Sequence, residues 1–505
     1  MARKEIRLQY TGYVIFAAKL LSVATGLIFQ LMFVRSIPDG SPDYGIWGNI
    51  NSVIPYFTLL GGVVPFWVMR YVARRQEGAA KTGLAMNLVF AAINATVYLA
   101  IIPLILPTLL SGAGISDPGV YLPFYLIVSI QIVETYLISI FEPCIQACTP
   151  QSVGYGLLLQ QGIRLIIGYI IIVQLGQPLL GALVSIIIAL SVQAVYYYKL
   201  LAYELKQHIQ WGYVKEWLKG SVLIIYSVAG GQIAAFIYIW LFYFGGFEGM
   251  EVYYLALQIA NVITHAGFLS YALYPKLLTE KRGEHIADSM KTVLMFALPM
   301  TVGAITLSSS YIVLLQQNTL INYPGAELVL IVLAIDAFVT VISGIYASIL
   351  TGVETVDQER LSFKSLVRSK LFLFFTLSYA HSAITLPTTY YALTTFAFQQ
   401  PLLAALSVVT INTIVRFAMF IILVIMVRGM FKVTIPWKNI SKYALAGVIM
   451  GVVLYLLPYS NRISTTLIWT AIGGAVYLAV LMLIDKEARE LPRSILNELR
   501  RKKKD

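Results

Sequence analysis

Fourteen apolar runs, each about as long as a bilayer is thick, constrain this chain more than any other feature. The hydrocarbon layer is about 30 Å deep and a helix rises about 1.5 Å per residue, so a crossing needs roughly 20 mostly apolar residues. Runs of that kind cover 12–34, 46–69, 83–107, 120–142, 152–174, 178–199, 220–244, 252–274, 292–315, 326–350, 371–394, 401–427, 440–457 and 464–484. Within a bilayer the backbone must satisfy its own hydrogen bonds, so runs of this length predict helices. Only 12% of the 505 residues are charged and 59% are hydrophobic. A soluble domain carries roughly twice that charged fraction. A water-soluble enzyme and a disordered chain are both excluded. The expectation is an all-α polytopic membrane protein with about fourteen transmembrane helices.

The charges give the chain an orientation. Of 36 Lys and Arg residues, 31 fall on one side if the N-terminus is inside, and only Arg35 and Arg462 fall on the other. Even-numbered connections hold Arg70, Arg74, Arg75 and Lys81, then Lys199, Lys206, Lys215 and Lys219, and so on along the chain, and only the connection between spans four and five lacks them. Cytoplasmic loops of membrane proteins carry this excess, so both termini are expected in the cytoplasm, on a multi-pass cell-membrane protein. The net charge of +12 is thereby a topology signal and implies no nucleic acid. The basic start, Arg3, Lys4 and Arg7, leads into a run long enough to span, with no small-residue cleavage pattern after it. It reads as an uncleaved first span.

The outer connections are short and turn-like, so they offer no ligand-binding or catalytic domain. Inside, residues 203–219 mix Leu205, Ile209, Trp211, Val214, Trp217 and Leu218 with Glu and Lys, the pattern of an interfacial amphipathic helix. This divides the chain into a six-helix lobe at 1–200, a linker at 201–219, a second six-helix lobe at 220–428, two further spans at 429–485 and a basic tail at 486–505. Thr11-Gly12-Tyr13-Val14 is echoed by Lys219-Gly220-Ser221-Val222, and Pro118-Gly119 by Pro324-Gly325, at offsets of 208 and 206. Either the lobes are a parallel repeat, as in some transporters, or the turn dipeptides coincide by chance.

An ionisable group inside a span needs a reason to be there. Lys19, Glu134, Arg164, Asp336 and Arg416 lie within spans, as do His265 and His381. Glu134 and Arg164 share a depth on consecutive helices, and Asp336 can meet Arg416 or His381. Such pairs either fix helix register or include a carboxylate that carries H+ or Na+ during transport, with Glu134 and Asp336 as the carriers. Lys19 either snorkels to water or lines a polar cavity that accepts an anion such as pyrophosphate. Arg35 and Arg70 mark the two ends of such a cavity or anchor helix ends. Gly61-Gly62 with Pro55 and Pro65 interrupts span two, and Gly230-Gly231 lies in span seven. These mark bends beside a cavity or close helix packing. Cys144 and Cys148 have no metal-ligand partner spacing and read as inert thiols. No P-loop, metal motif or nucleophile elbow is present, so neither an enzyme nor a cofactor is implied.

Phe33-Val34-Arg35-Ser36-Ile37, followed by Asp43-Tyr44-Gly45-Ile46-Trp47, resembles the R-x-L…Y-G-x-[WY] stretch of polysaccharide and lipid-linked oligosaccharide flippases. These belong to the multidrug/oligosaccharidyl-lipid/polysaccharide exporter superfamily. Gln151-Ser152-Val153-Gly154-Tyr155-Gly156, with Arg164 and Gly168-Tyr169 downstream, is similar to the same family's fourth-to-fifth helix region. The resemblance implies two six-helix lobes about a central cavity lined by helices one, two, seven and eight, which would hold Lys19 and His265. It implies a polyprenyl-pyrophosphate-linked glycan as substrate, flipped from the inner to the outer leaflet by alternating access. The implied partners are that lipid, the bilayer, H+ or Na+, and proteins of polysaccharide assembly. Arg164 and Arg416 join the substrate-binding candidates Lys19, Arg35, Arg70 and His265. The two extra C-terminal helices resemble those of lipid II flippases, where they form a groove for the lipid tail. The departure lies in the cavity, where relatives often carry several arginines and this chain offers one Lys and one His. The alternatives are a multidrug or small-cation antiporter of the same superfamily, expected to use acidic cavity residues, and a non-transporting scaffold for polysaccharide assembly.

Overall fold

A computed structural model describes residues 8–149, 151–270, 283–353, 370–430, 433–486 and 488–489. The cations Arg3, Lys4, Arg7, Lys276, Lys281, Arg282, Arg360, Lys364, Arg368 and Lys432, and the tail from Glu490, lie outside them. The described residues form helices and turns, with no strand among them. Seven helices precede the linker: α1 (Leu8–Arg35), α2 (Asp43–Phe57), α3 (Val63–Ala73), α4 (Ala79–Gly112), α5 (Leu122–Cys148), α6 (Gln151–Gly168) and α7 (Pro178–Leu201). The linker folds as α8 (Trp211–Gly220), followed by α9 (Val222–Ala235) and α10 (Ile237–Thr264). The rest comprises α11 (Gly283–Thr306), α12 (Ser308–Leu315), α13 (Ala326–Val353), α14 (Lys370–Thr395), α15 (Pro401–Arg428), α16 (Trp437–Leu456) and α17 (Ile463–Ile484).

Eleven helical stretches among the described residues are individually long and apolar enough to cross a membrane. The bent pair α2 and α3 supplies a twelfth if it is one span, and α1, 28 residues long, contributes the shorter apolar stretch Leu21–Arg35. The stretch Val222–Gly267 is 46 residues long, about 69 Å as one helix, more than twice the layer it would cross. It parts at Gly246, whose φ of +79° is open to glycine and strained for other residues. Phe247 donates its N–H to the Ala113 carbonyl and Phe244 accepts from the Gln399 N–H, which sets the 244–247 turn beside the turns at 113 and 399. The helix breaks there, within the stretch where the sequence places spans seven and eight.

Span two bends by 59° between α2 and α3. Pro55 and Pro65 remove helix donors and Gly61-Gly62 loosens the backbone between them, so a 3₁₀ turn at Leu59–Gly62 replaces the α-helix. Tyr136 donates its hydroxyl to the Phe57 carbonyl freed by the break (3.2 Å). Span seven behaves differently. α9 runs unbroken through Gly230-Gly231, and the interruption comes one turn later at Phe236.

By contacts the chain divides into two units, 1–251 with 389–404, and 252–388 with 405–505. This division differs from a count by spans. Span seven and the turn from α14 to α15 pack with the first unit, because that turn donates to Phe244 and the Pro401 backbone lies against Gly249. In the first unit α1 packs along α6, and α5 packs against α3, α4 and α7. Its core gathers Val64, Val68, Tyr71, Ile140, Phe141, Tyr197 and Trp217. In the second unit α11 lies between α13 and α16, with α17 against α16. One core joins Ile286, Val293, Ile345, Ile349, Leu423 and Val427, and another joins Leu294, Tyr443, Met450, Leu454 and Tyr477.

Candidate functional site

The charged groups inside the first unit take separate partners. Arg164, on α6, holds its guanidinium over the Phe29 ring of α1, 3.8 Å from the centroid. Gly168, one turn further along α6, makes the room, since a Cβ there would press on the same ring. Glu134, on α5, is buried and accepts a hydrogen bond from the Ser191 hydroxyl of α7. Its second oxygen, Oε2, has no hydrogen-bond partner among the described residues. The depth match between Glu134 and Arg164 therefore does not produce a pair. Arg164 finds its partner on α1, the helix α6 packs against most closely, and Glu134 finds its own on α7, one of three helices that pack along α5.

Lys19 is half-buried on α1, and its electrostatic neighbour is Glu142 on α5. Sequence reasoning missed Glu142, because the apolar run ends there while the helix continues to Cys148. Those extra turns carry the carboxylate inside the span. The signal available was Phe141 with Ile145, which keep the helical apolar spacing past residue 142.

Arg35 and Arg70 each sit in the last turn of their helix. Arg35 is exposed in the last turn of α1. Arg70 lies near the end of α3 over the Phe66 ring, 4.1 Å from its centroid, with the Trp67 ring at 5.9 Å. Lys19 and Arg35 are separated along α1 by about 24 Å of helix, so one pyrophosphate cannot bridge them.

The second unit does bring predicted residues together. Asp336, on α13, forms an ion pair with Arg416 on α15 at 3.0 Å. The same guanidinium nitrogen donates to the Thr340 hydroxyl one turn along α13, at 2.5 Å. His381, on α14, is buried beside Arg416, with the backbone of Asn412 facing its ring. Asp336 Oδ1 and His381 Nε2 have no hydrogen-bond partners among the described residues. The cluster spans three helices, and the side chain of Thr413 on α15 also approaches Asp336. His265 lies after α10 with Nδ1 2.8 Å from the Asn261 carbonyl, a contact local to its own helix. Among the described residues no three His, Cys, Asp or Glu side chains come together in a metal-ligating group.

No family model matches the sequence, and no curated protein matches it. Solved structures do match the fold. The structure titled "Lipid II flippase MurJ, inward closed conformation" aligns with a TM-score of 0.66 at 18% identity, covering 93% of this chain and 98% of that one. An inward-facing multidrug resistance MATE family transporter of the MOP superfamily aligns at 0.57 and 12% identity, covering 81% and 95%. A MOP superfamily transporter from Pyrococcus furiosus, described as having a binding pocket of reverse polarity, aligns at 0.51 and 14%, covering 84% and 96%. The chain has the polytopic helical fold that MurJ and the MATE transporters of the MOP superfamily share.

Proposed function

We propose that this protein is a flippase that carries a polyprenyl-pyrophosphate-linked sugar or oligosaccharide from the inner to the outer leaflet by alternating access. The observation that carries the reading is the reach of the fold match. The lipid II flippase covers 93% of this chain and the MATE transporter 81%. The wider reach of the flippase match over this chain is what favours the flippase reading over the antiporter.

The chemistry of the spans supports an anionic head group better than a cationic drug. Lys19 is the cation we assign to the pyrophosphate, since ammonium and guanidinium groups bind phosphate oxygens strongly. Glu142 is its resident counter-ion and competes with an arriving anion. Arg164 and Arg416 are engaged with Phe29 and Asp336 in this conformation and act mainly by holding helices together. The head group crosses among polar side chains while the polyprenyl tail remains in lipid, and both termini lie in the cytoplasm. Transport advances only if substrate binds the two access states with different affinity. Return is coupled to H+ or Na+ through Glu134 or Asp336, buried carboxylates that each keep an oxygen without a hydrogen-bond partner among the described residues.

The test is translocation of a lipid-linked sugar in proteoliposomes, with imposed H+ or Na+ gradients. The expected result is protein-dependent flipping that falls in Lys19→Ala and responds to one gradient. Export of organic cations without movement of the lipid-linked sugar would establish the antiporter instead.

A further inference from the structure

The linker helix α8 has two faces, and the transport reading uses neither. Its inner face is locked. Trp217 is fully buried, with its ring 5.3 Å from Tyr71 of α3 and stacked at 5.7 Å on Tyr213. Ser221, just after α8, donates its hydroxyl to the Trp217 carbonyl (2.6 Å) and accepts from the Trp67 indole (2.9 Å). The segment leading into α8 is strapped to the first turn of α4. Gly78 donates its N–H to Gln207 Oε1 at 2.5 Å, and Gln210 donates its N–H to the Thr82 hydroxyl at 2.8 Å. Gly78 adopts a φ of +76° there and lies so close to the His208 carbonyl that no Cβ would fit. α8 is thereby fixed where α3 ends and α4 begins, beside Arg74, Arg75 and Lys81.

With the inner face fixed, helical geometry sets the outer one. Trp211, Lys215, Leu218 and Lys219 fall within about 100° of arc at 3.6 residues per turn. All four are exposed, Trp211 by 74%. Tyr203 and Lys206, in the preceding turn, are exposed as well. The nearby carboxylates are occupied or turned away, since Glu204 accepts from Gln207 (3.2 Å) and Glu216 lies beside the Tyr71 hydroxyl. The outer face thus combines an indole, a leucine and cations, the composition that seats a helix in the interface and draws anionic head groups.

We propose that the outer face of α8, with Lys206, binds the head groups of anionic glycerophospholipids in the leaflet it faces. Trp211 and Leu218 enter the head-group boundary, and Lys206, Lys215 and Lys219 take the phosphates. Because α9 begins directly after Ser221, this contact holds the start of span seven at a fixed depth. The inference is independent of what the protein transports.

The test uses the full-length protein in nanodiscs containing brominated phosphatidylglycerol or brominated phosphatidylcholine at equal mole fraction. The Trp211 signal is the difference in fluorescence between the wild type and Trp211→Phe, which isolates it from the other six tryptophans. Brominated phosphatidylglycerol is expected to quench Trp211 roughly twofold or more over brominated phosphatidylcholine. The excess should vanish in Lys206→Gln/Lys215→Gln/Lys219→Gln, and in the wild type at about 1 M salt, where the screening length is about 3 Å. Equal quenching by the two lipids in the wild type overturns the proposal, whether or not the triple variant folds. An excess that survives both the triple variant and high salt overturns it as well, because the lysines would not be its source.

Discussion

The ion pair between Asp336 and Arg416 can be tested by a double-mutant cycle that separates its structural from its functional weight. At 3.0 Å the two charges attract by about 5 kcal/mol at an effective dielectric constant of about 20, before desolvation is counted. Asp336 is 7% exposed, so water does little to replace a lost partner. Removing one partner from a buried pair costs about 3–5 kcal/mol, because the survivor is left uncompensated. Arg416→Gln and Asp336→Asn should each lower the thermal unfolding midpoint of the purified protein by several degrees. Arg416→Gln should be the worse of the two, because the Asp336 side chain is 10% exposed and the Arg416 side chain 33%. Water reaches the arginine when it is left alone. Replacing both together, as Asp336→Asn/Arg416→Gln, should cost less than the two single losses added, since no charge is then left buried and unpaired. The readouts are the unfolding midpoint and translocation, measured on all four proteins. Additive losses in the double variant would refute the pairing argument. A stable double variant that still translocates and still responds to the ion gradient would remove Asp336 from the coupling role.

Other outcomes follow from the same contacts. Gly45→Ala places a Cβ against the Phe247 carbonyl, which must then withdraw, at a cost of about 1–3 kcal/mol. Faster labelling of a cysteine introduced at Ala113 would show that the 113–247 contact has loosened. Trp217→Ala empties the space between Tyr71 and Tyr213 and should cost about 3–5 kcal/mol, with the 203–220 segment becoming the first site cut in limited proteolysis. Glu134→Gln can keep the Ser191 bond through its amide oxygen, so the unfolding midpoint should hold while any dependence of transport on the ion gradient disappears. Glu142→Gln removes the carboxylate that faces Lys19, and half-saturation by a pyrophosphate-linked lipid should then need several-fold less substrate. Unchanged half-saturation would mean that Lys19 does not meet the head group.

Much of the fold is legible in the sequence because length and polarity are the whole requirement for a span. Fourteen runs predict fourteen crossings, and the α-helices follow from the need to satisfy the backbone in lipid. The break in span two is legible too, because Pro55, Gly61, Gly62 and Pro65 all weaken one short stretch. Gly230-Gly231 misleads, since glycines without a neighbouring proline leave every donor in place and the helix continues through them. The contact units are not legible. Their border depends on hydrogen bonds such as Gln399 to Phe244, between residues 155 positions apart that carry no sequence mark of their meeting.

The charged residues show where sequence reasoning stops. Depth along a span places Asp336 and Arg416 within reach of each other, and they meet. Depth places Glu134 and Arg164 equally well, and they do not. What separates the cases is the face each helix presents to its neighbour, and a hydrophobic run that is apolar all round does not reveal that face. Arg164 faces α1 because Gly168 lets Phe29 approach α6 closely, so it settles on an aromatic ring. Glu134 faces α7 and takes the Ser191 hydroxyl. A glycine one turn from a buried cation is therefore as informative about its partner as the position of the nearest acid. Lys19 follows the same logic from the other direction. Its neighbour Glu142 enters the span only because α5 runs on to Cys148, so the charge balance around the assigned anion site is set by where a helix ends.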